Sequence, residues 1–573
     1  MPYCRNCSQA FDITLKEKDF YAKMGTKQPS HCFDCRMQRK YAFRNERKIY
    51  NRQCSLCQQQ IISSYPADAP FPVYCFDCWW SDRWDGLSYG RDFDWSRPFF
   101  SQLSELSLKV PHQALPNPNN NQNSPYVTWA DWNKNCYLVF SSSMCEDCLY
   151  SEVLVDARDC VDCTNVKESE NCYFSIDLQK CYNVKFSRNV KDCLDCNFCF
   201  DCADCKNCFL SYNLRHGEYY IRNVQYSPDA YVQAVERIMA SRSELVRAWD
   251  EFINMMRSDA IHQFARQVKC EDVEGDELYA CKRSFNSFDS REIQDCCNII
   301  YGDKINDCAD SFAIVDHAEK CLEVFSVNGG YQNMYGYGYW GKSQNSRYSN
   351  TCVSSVDCFG CIGLKHQKYC ILNKQYLAAE YQIMVKKVLE HMRKSNYPTY
   401  AGQTSEWGEF FPVQLSPFAY NETMAHVYYP LKKEEVLARG WGWRDENDIL
   451  TGKETIHGEA LPDAAASVPK GMTDQVIGCA DCGRNYKLIK QEIDFYTKHT
   501  LPLPKMCPEC RFQQRLALRN PRKLWPRQCT CLLGHASHQG QSVCPIHFKT
   551  TYRPAEGGEA KVYCEECYQK EIY

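Results

Sequence analysis

From residue 136 to residue 214 every third position is Cys, Ser, Val, Leu or Ala. A helix buries one face every 3.6 residues and a half-buried strand every 2, so neither gives this rhythm. Cysteines hold the phase at 136, 145, 148, 160, 163, 172, 181, 193, 196, 199, 202, 205 and 208. A longer recurrence of 18 aligns Ser151, Ser169 and Ser187, and likewise Cys145, Cys163, Cys181 and Cys199. Coils of 18 residues with small side chains turned into a shared narrow core account for both periods and predict a β-solenoid. The phase returns at Cys281, Ser284, Ser287, Ser290, Ile293 and Cys296. After a Gly/Tyr-rich interruption within 329–350 it resumes through Cys352, Cys358 and Cys361. Both segments close alike, LRHGEYYIRNVQY at 214–226 and LKHQKYCILNKQY at 364–376, an offset of 150. An amphipathic helix is predicted after each closure. Ser227-Pro228 caps the first; Leu377, Tyr381, Met384, Val385, Val388, Leu389 and Met392 stripe the second. The helices read as covers for solenoid ends, and 116–125 and 445–475 read as linkers.

The two ends follow a different pattern. Cys4-x2-Cys7 precedes Cys32-x2-Cys35, and Cys479-x2-Cys482 precedes Cys507-x2-Cys510, all at an offset of 475. The same offset carries Phe20-Tyr21 onto Phe495-Tyr496 and Arg44-Asn45 onto Arg519-Asn520. Two CxxC pairs supply the tetrahedral thiolate shell that zinc prefers. The stretch FDITLKEKDFYAKMG reads as a hairpin or strand, and CRMQRKYAFRNERKIY as a helix, giving a treble-clef or zinc-ribbon order. A second module follows each first. Cys54, Cys57, Cys75 and Cys78 form one ligand set. At the far end Cys529, Cys531, Cys564 and Cys567 are the predicted set, with Cys544 or His547 as possible replacements because the x1 spacing is a poor knuckle. Four structural zinc ions are therefore expected.

Forty cysteines in 573 residues would suit a disulfide scaffold, but such scaffolds are short and exported. The opening MPYCRNCSQAFD has no signal-peptide pattern, and no apolar run is long enough to span a bilayer, so a reducing cytoplasm is expected. Within the central run, Cys193 to Cys208 contains CxxCxxC, which resembles part of a ferredoxin iron–sulfur motif. The phase is continued by Ser, Val and Leu, which cannot ligate, so buried thiols acting as small hydrophobes are the favoured reading.

The module CRNCSQAFDITLKEKDFYAKMGTKQPSHCFDCRMQRK resembles the zinc-ribbon domain found in many bacterial proteins of unknown function. The order of zinc modules, Cys-rich middle, WGEFFP and SPFAYNET segments and closing zinc modules is similar to an uncharacterised family from candidate-phyla bacteria. The resemblance implies zinc and a bacterial cytosol and brings no activity. The expected fold is multidomain and mainly β with some α. Zinc ribbons at 1–53, 54–115, 476–528 and 529–573 flank Cys-rich β-solenoids at 126–260 and 261–400, with a connector at 401–475.

Charge decides between functions. Residues 1–53 carry 12 Lys/Arg against 5 Asp/Glu and residues 479–528 carry 11 against 4, each a net +7 in a chain of net −4. Arg36, Arg39, Lys40, Arg44, Arg47 and Lys48 share much of one helical face, and Arg511, Arg515, Arg519, Arg522 and Lys523 repeat it. Such stripes suit phosphate backbones, with Tyr41 and Phe43 placed to stack on bases, so RNA or the ribosome is the first expectation for a partner. A protein-interaction scaffold with structural zinc is the second. Catalysis is not expected: the zinc shells look full, Asp82, Asp85, Asp92 and Asp94 read as solvated loop acids, and no phosphate loop or nucleophile motif occurs.

Overall fold

The computed structural model describes residues 1–573 except 119, 339–340, 400–401, 446–450, 465–466, 536–537, 539 and 555–559, and the side chains of 403 and 404. Parts of the linkers and of the Gly/Tyr-rich segment read from the sequence lie outside the described residues. The chain packs as two compact units, each built from two separate stretches. Met1–Pro116 joins Ala265–Arg444, and Asn117–Phe264 joins Asp445–Tyr573. The consecutive pieces expected from the sequence are thus regrouped: each pair of terminal Cys modules packs with the periodic segment farther from it in sequence.

In the second unit the periodic segment is a parallel ladder in which each residue pairs with one twelve positions on. Glu152 faces Thr164, Thr164 faces Ile176 and Ile176 faces Arg188, and single bridges continue the series at Tyr137, Leu149, Val161 and Tyr173. The return distance is therefore 12 and not 18. Eighteen is one and a half returns, so Cys145 and Cys181 share one column while Cys163 and Cys199 belong to another. The strands lie in sequential order in an open six-stranded sheet.

A period of three arises because every third residue adopts left-handed backbone, as at Asp156, Asp159, Asp162 and Asn165 with φ of 52°, 48°, 53° and 55°. Asn and Asp tolerate that region better than other side chains. The next residue in each triplet points inward, filling a core of Cys, Val, Leu and Ala. Inward hydroxyls and thiols also hold the ladder together. Ser151 Oγ donates to Leu149 O at 2.8 Å and accepts the Cys163 N–H at 2.9 Å. The thiols of Cys148, Cys160 and Cys172 each donate to the carbonyl two residues back, at 3.3–3.4 Å. Burial pushes the Cys148 and Cys199 thiols up, which keeps them protonated donors. The ladder begins inside the expected linker, since Gln122 already bridges Lys134, and Asn121 Nδ2 donates to Ala130 O at 2.8 Å.

The first unit repeats this ladder in a seven-stranded open sheet, with two insertions. Phe312 pairs with Phe325, thirteen residues on, because Asp316 and His317 are both left-handed. Tyr337 pairs with Asn350, again thirteen on. The Gly/Tyr-rich segment is therefore part of the ladder: Met334–Tyr337 is a strand paired with Leu322–Tyr331.

The helices behave as their stripes predict. Tyr231 and Val235 of Pro228–Met239 and Leu245, Phe252 and Met256 of Arg242–Ser258 pack on Phe198, Phe200, Phe209 and Ile221 of the ladder. Helix Ala378–Lys394 buries Tyr381, Val385, Val388 and Met392, while Leu377 is exposed. Among the described residues no helix is long and apolar enough to cross a membrane.

Candidate metal centres

Each terminal module brings four thiols together. The first pair sits on a tight turn, closed at Cys4 by its N–H to Gln9 O (2.8 Å) and at Cys54 by its N–H to Gln59 O (2.9 Å). The second pair opens a helix. Cys32 precedes Phe33–Tyr41, Cys75 precedes Phe76–Trp80, and Cys507 precedes Pro508–Leu516. In the first module of the N-terminal end and its copy at 479–528 a helix lies between the pairs, Leu15–Lys23 and Lys490–Lys498, where a hairpin or strand was expected. In the first copy the Thr14–Glu17 capping box signals it: Glu17 N–H donates to Thr14 Oγ1 and Thr14 N–H to Glu17 Oε2.

Three of the expected ligand sets are assembled as read: Cys4, Cys7, Cys32 and Cys35; Cys54, Cys57, Cys75 and Cys78; Cys479, Cys482, Cys507 and Cys510. In each, all Sγ atoms lie within 4.8 Å of one another. A tetrahedron with metal–sulfur bonds of about 2.3 Å has edges of about 3.8 Å. Cys7–Cys32 and Cys482–Cys507 measure 3.8 Å and Cys57–Cys75 measures 3.9 Å, so the sites fit a zinc-sized ion and are too open for disulfides. Backbone N–H groups point at the sulfurs, from Cys75 to Cys54 at 3.3 Å and from Cys507 to Cys479 at 3.2 Å. Burial raises these thiols, but the N–H donors outweigh it and bring Cys54 to about 6 and Cys479 to about 7. Arg83 Nη2 stands 2.7 Å from Cys78 Sγ. Cys54 and Cys479 are thus favoured as thiolates, while burial pushes their partners Cys78, Cys507 and Cys510 up.

The fourth set differs from the expectation. Cys529, Cys544, Cys564 and Cys567 form the tetrad, with Cys544 and Cys564 sulfurs 3.9 Å apart, and Cys531 is not a member. Strand Trp525–Gln528 pairs antiparallel with His547–Thr550, which brings Cys544 beside Cys529 across the hairpin. Cys544 thus takes the place that Cys57 holds in the N-terminal copy, with a knuckle twelve residues longer. His547 is exposed and lies outside the tetrad.

The basic stripes are not open faces. The helix after Cys32 ends at Tyr41, so Arg44, Arg47 and Lys48 lie beyond it. Arg36 and Lys40 are 2% and 0% exposed. Arg36 Nε lies 3.0 Å from Asp310 Oδ1, Lys40 Nζ 3.3 Å from Glu323, and Arg39 3.1 Å from Glu409 and 3.4 Å from Glu323. Burial lowers Lys40 to about 8 although Glu323 opposes it. Arg44 is buried against Glu46 and Ser326. In the other unit Arg511 Nε lies 3.0 Å from Asp162 Oδ2 and its Nη1 3.0 Å from Glu492. Arg515 Nη1 lies 2.8 Å from Asp162 Oδ1, and Arg519 is 3.4 Å from Asp177. Arg47, Lys48 and Arg522 are half-buried and Lys523 is exposed. Tyr41 and Phe43, offered above as base-stacking rings, pack on Phe312 and Tyr337 of the ladder.

WGEFFP completes that interface. Phe410 and Phe411 pack against Phe43, Glu409 receives Arg39, and Glu406 accepts the Phe99 and Phe100 N–H groups at 3.0 and 2.7 Å, capping helix Phe99–Ser107. Two of the loop acids have local partners, Asp85 accepting Leu87 N–H and Asp94 accepting Ser96 N–H, while Asp92 pairs with the distant Lys374.

No family model matches the chain, and no curated protein matches it. Among solved structures, a chain from Desulfovibrio desulfuricans G20 described as a "putative acetyltransferase" aligns at 9% identity over 45% of this chain and 70% of its own, with a TM-score of 0.09, which carries no inference. The chain is therefore characterised by its own geometry: four cysteine tetrads positioned for metal ions, in the modules at its two ends.

Proposed function

We propose that this chain is a non-catalytic scaffold in which two β-solenoids of twelve residues per coil are each clamped by zinc-stabilised modules. The observation that carries the reading is the burial of the module cations against ladder carboxylates, Arg36 on Asp310 and Arg511 and Arg515 on Asp162. Cations committed in this way are withdrawn from phosphate. Zinc in the tetrads would have a structural role, since four thiolates leave no open coordination position. The outer ladder faces carry charge pairs twelve residues apart, such as Lys134–Glu146 at 2.6 Å and Arg283–Asp295 at 2.6 Å, and offer a mixed-charge surface to a protein partner. The test is sedimentation of the chain from cell lysate with and without RNase, at low and high salt. Unchanged sedimentation is expected. Co-migration with RNA that RNase or salt releases would return the role to nucleic-acid binding, carried by the half-buried and exposed Arg47, Lys48, Arg522 and Lys523.

A further inference from the structure

Cys531, excluded from the fourth tetrad, is completely buried and belongs to a second group with His535, His538 and Cys567, whose ligand atoms again all lie within 4.8 Å of one another. Cys567 is common to both groups. We propose that the last module holds two zinc ions bridged by the Cys567 thiolate, one in Cys529, Cys544, Cys564 and Cys567, the other in Cys531, His535, His538 and Cys567. The chain would then bind five metals. This rests on the zinc reading of the tetrads.

Three observations point the same way. First, the described residues added to the knuckle lack an apolar core. Among the described residues between Cys529 and Cys544, only Cys531 and His538 are buried, while Leu532 is 70% and Leu533 45% exposed. Ordering such a loop costs conformational entropy, which metal ligation offsets here. Second, His538 Nε2 lies 3.3 Å from Cys567 Sγ, and His538 Nδ1 is buried with no hydrogen-bond partner, the mark of an imidazole placed for something other than hydrogen bonding. Third, His535 Nε2 is likewise buried and makes no hydrogen bond, although Glu571 Oε1 lies 3.2 Å away, so a second imidazole of the group has a ring nitrogen not used for hydrogen bonding. Mixed sulfur and imidazole donors suit zinc. Charge agrees as well: two divalent ions with five thiolates and two neutral imidazoles leave a net −1, less buried charge than a lone tetrathiolate site at −2.

The full-length chain, purified under reducing conditions with zinc, is weighed by native mass spectrometry. Five zinc ions are expected in the wild type. Cys531→Ala and, separately, His535→Ala/His538→Ala should each hold four. After cobalt substitution, both should lose the absorption of the mixed sulfur–nitrogen shell and keep the all-sulfur bands. A wild-type count of four, unchanged in both variants, overturns the proposal and leaves the four-tetrad reading standing. A wild-type count below four overturns both.

Discussion

Asp162 is the most informative single position, because two guanidiniums converge on it in a buried site. Asp162, Arg511 and Arg515 have side chains at most 1% exposed. Asp162→Ala leaves Arg511 its two 3.0 Å contacts to Glu492, but leaves Arg515, among the described residues, only the Tyr150 carbonyl at 3.1 Å and the Phe174 ring. Removing one partner of a buried pair costs about 3–5 kcal/mol because the survivor is stranded without its counter-charge. At about 1.4 kcal/mol per decade, exchange protection in the ladder around 149–178 should fall by roughly two to three and a half powers of ten. Hydrogen exchange followed by mass spectrometry reads this segment by segment. Arg515→Met should cost less, since Asp162 keeps Arg511 at 3.0 Å. The double variant Asp162→Ala/Arg515→Met should recover part of the loss, a coupling of about 0.5–3 kcal/mol. A change in Asp162→Ala within about 0.5 kcal/mol, the range of ordinary surface substitutions, would refute the docking argument.

Zinc removal under reducing conditions should expose 1–53 and 479–528 to protease and loosen the ladders they cover. Structural sites of this kind contribute about 10–16 kcal/mol in finger peptides, as much as a whole domain's stability; protease resistance after complete metal loss would contradict this. Ser151→Ala should cost about 1–3 kcal/mol by stranding the Cys163 N–H, whereas Ser151→Cys should cost less, because thiols make the same bonds elsewhere in the core; urea unfolding of the two variants compares them. His262, buried and donating from Nε2 to Met256 O, is held down to about 4 chiefly by burial. The unfolded chain therefore takes up this proton first as pH falls, so stability should drop between about pH 6.5 and 4, by about 3 kcal/mol at this residue. Denaturation of His262→Phe at both pH values should show a correspondingly smaller drop.

The cysteine tetrads were largely legible because CxxC spacing itself fixes a knuckle, and three of the four follow from it. The fourth was obscured where the knuckle is lengthened: Cys531 stands nearer to Cys529 in sequence, but the hairpin carries Cys544 there. The period of three was legible and its return distance was not, since inward cysteines occur in columns that alternate at 18. The missing signal is the Asn or Asp that precedes many inward residues, as in Asn135-Cys136, Asp147-Cys148, Asp159-Cys160 and Asn171-Cys172. Those residues mark the left-handed positions, and Asp147, Asp159 and Asn171 are themselves spaced by 12. The basic stripes were legible as charge but not as burial, because their carboxylate partners lie far along the chain.

The two units follow one docking rule, and the numbering shows it. Glu17 and Arg36 become Glu492 and Arg511 at the module offset of 475. Their ladder partners shift by a different amount. Asn298 donates to Glu17 as Tyr150 donates to Glu492, and Asp310 meets Arg36 as Asp162 meets Arg511, both at an offset of 148. Ser326 meets Arg44 where Asp177 meets Arg519, an offset of 149, past the first thirteen-residue return. Past the second, the closing segments stand at 150. Where the copies diverge, charge follows on both sides of the contact. Arg39 and Lys40 face Glu323 and Glu409, whereas of their counterparts Gln514 is exposed and Arg515 alone faces a carboxylate, Asp162. A surface kept for phosphate would need cations without matching acids; cations that vary in step with buried carboxylates are those of an internal joint.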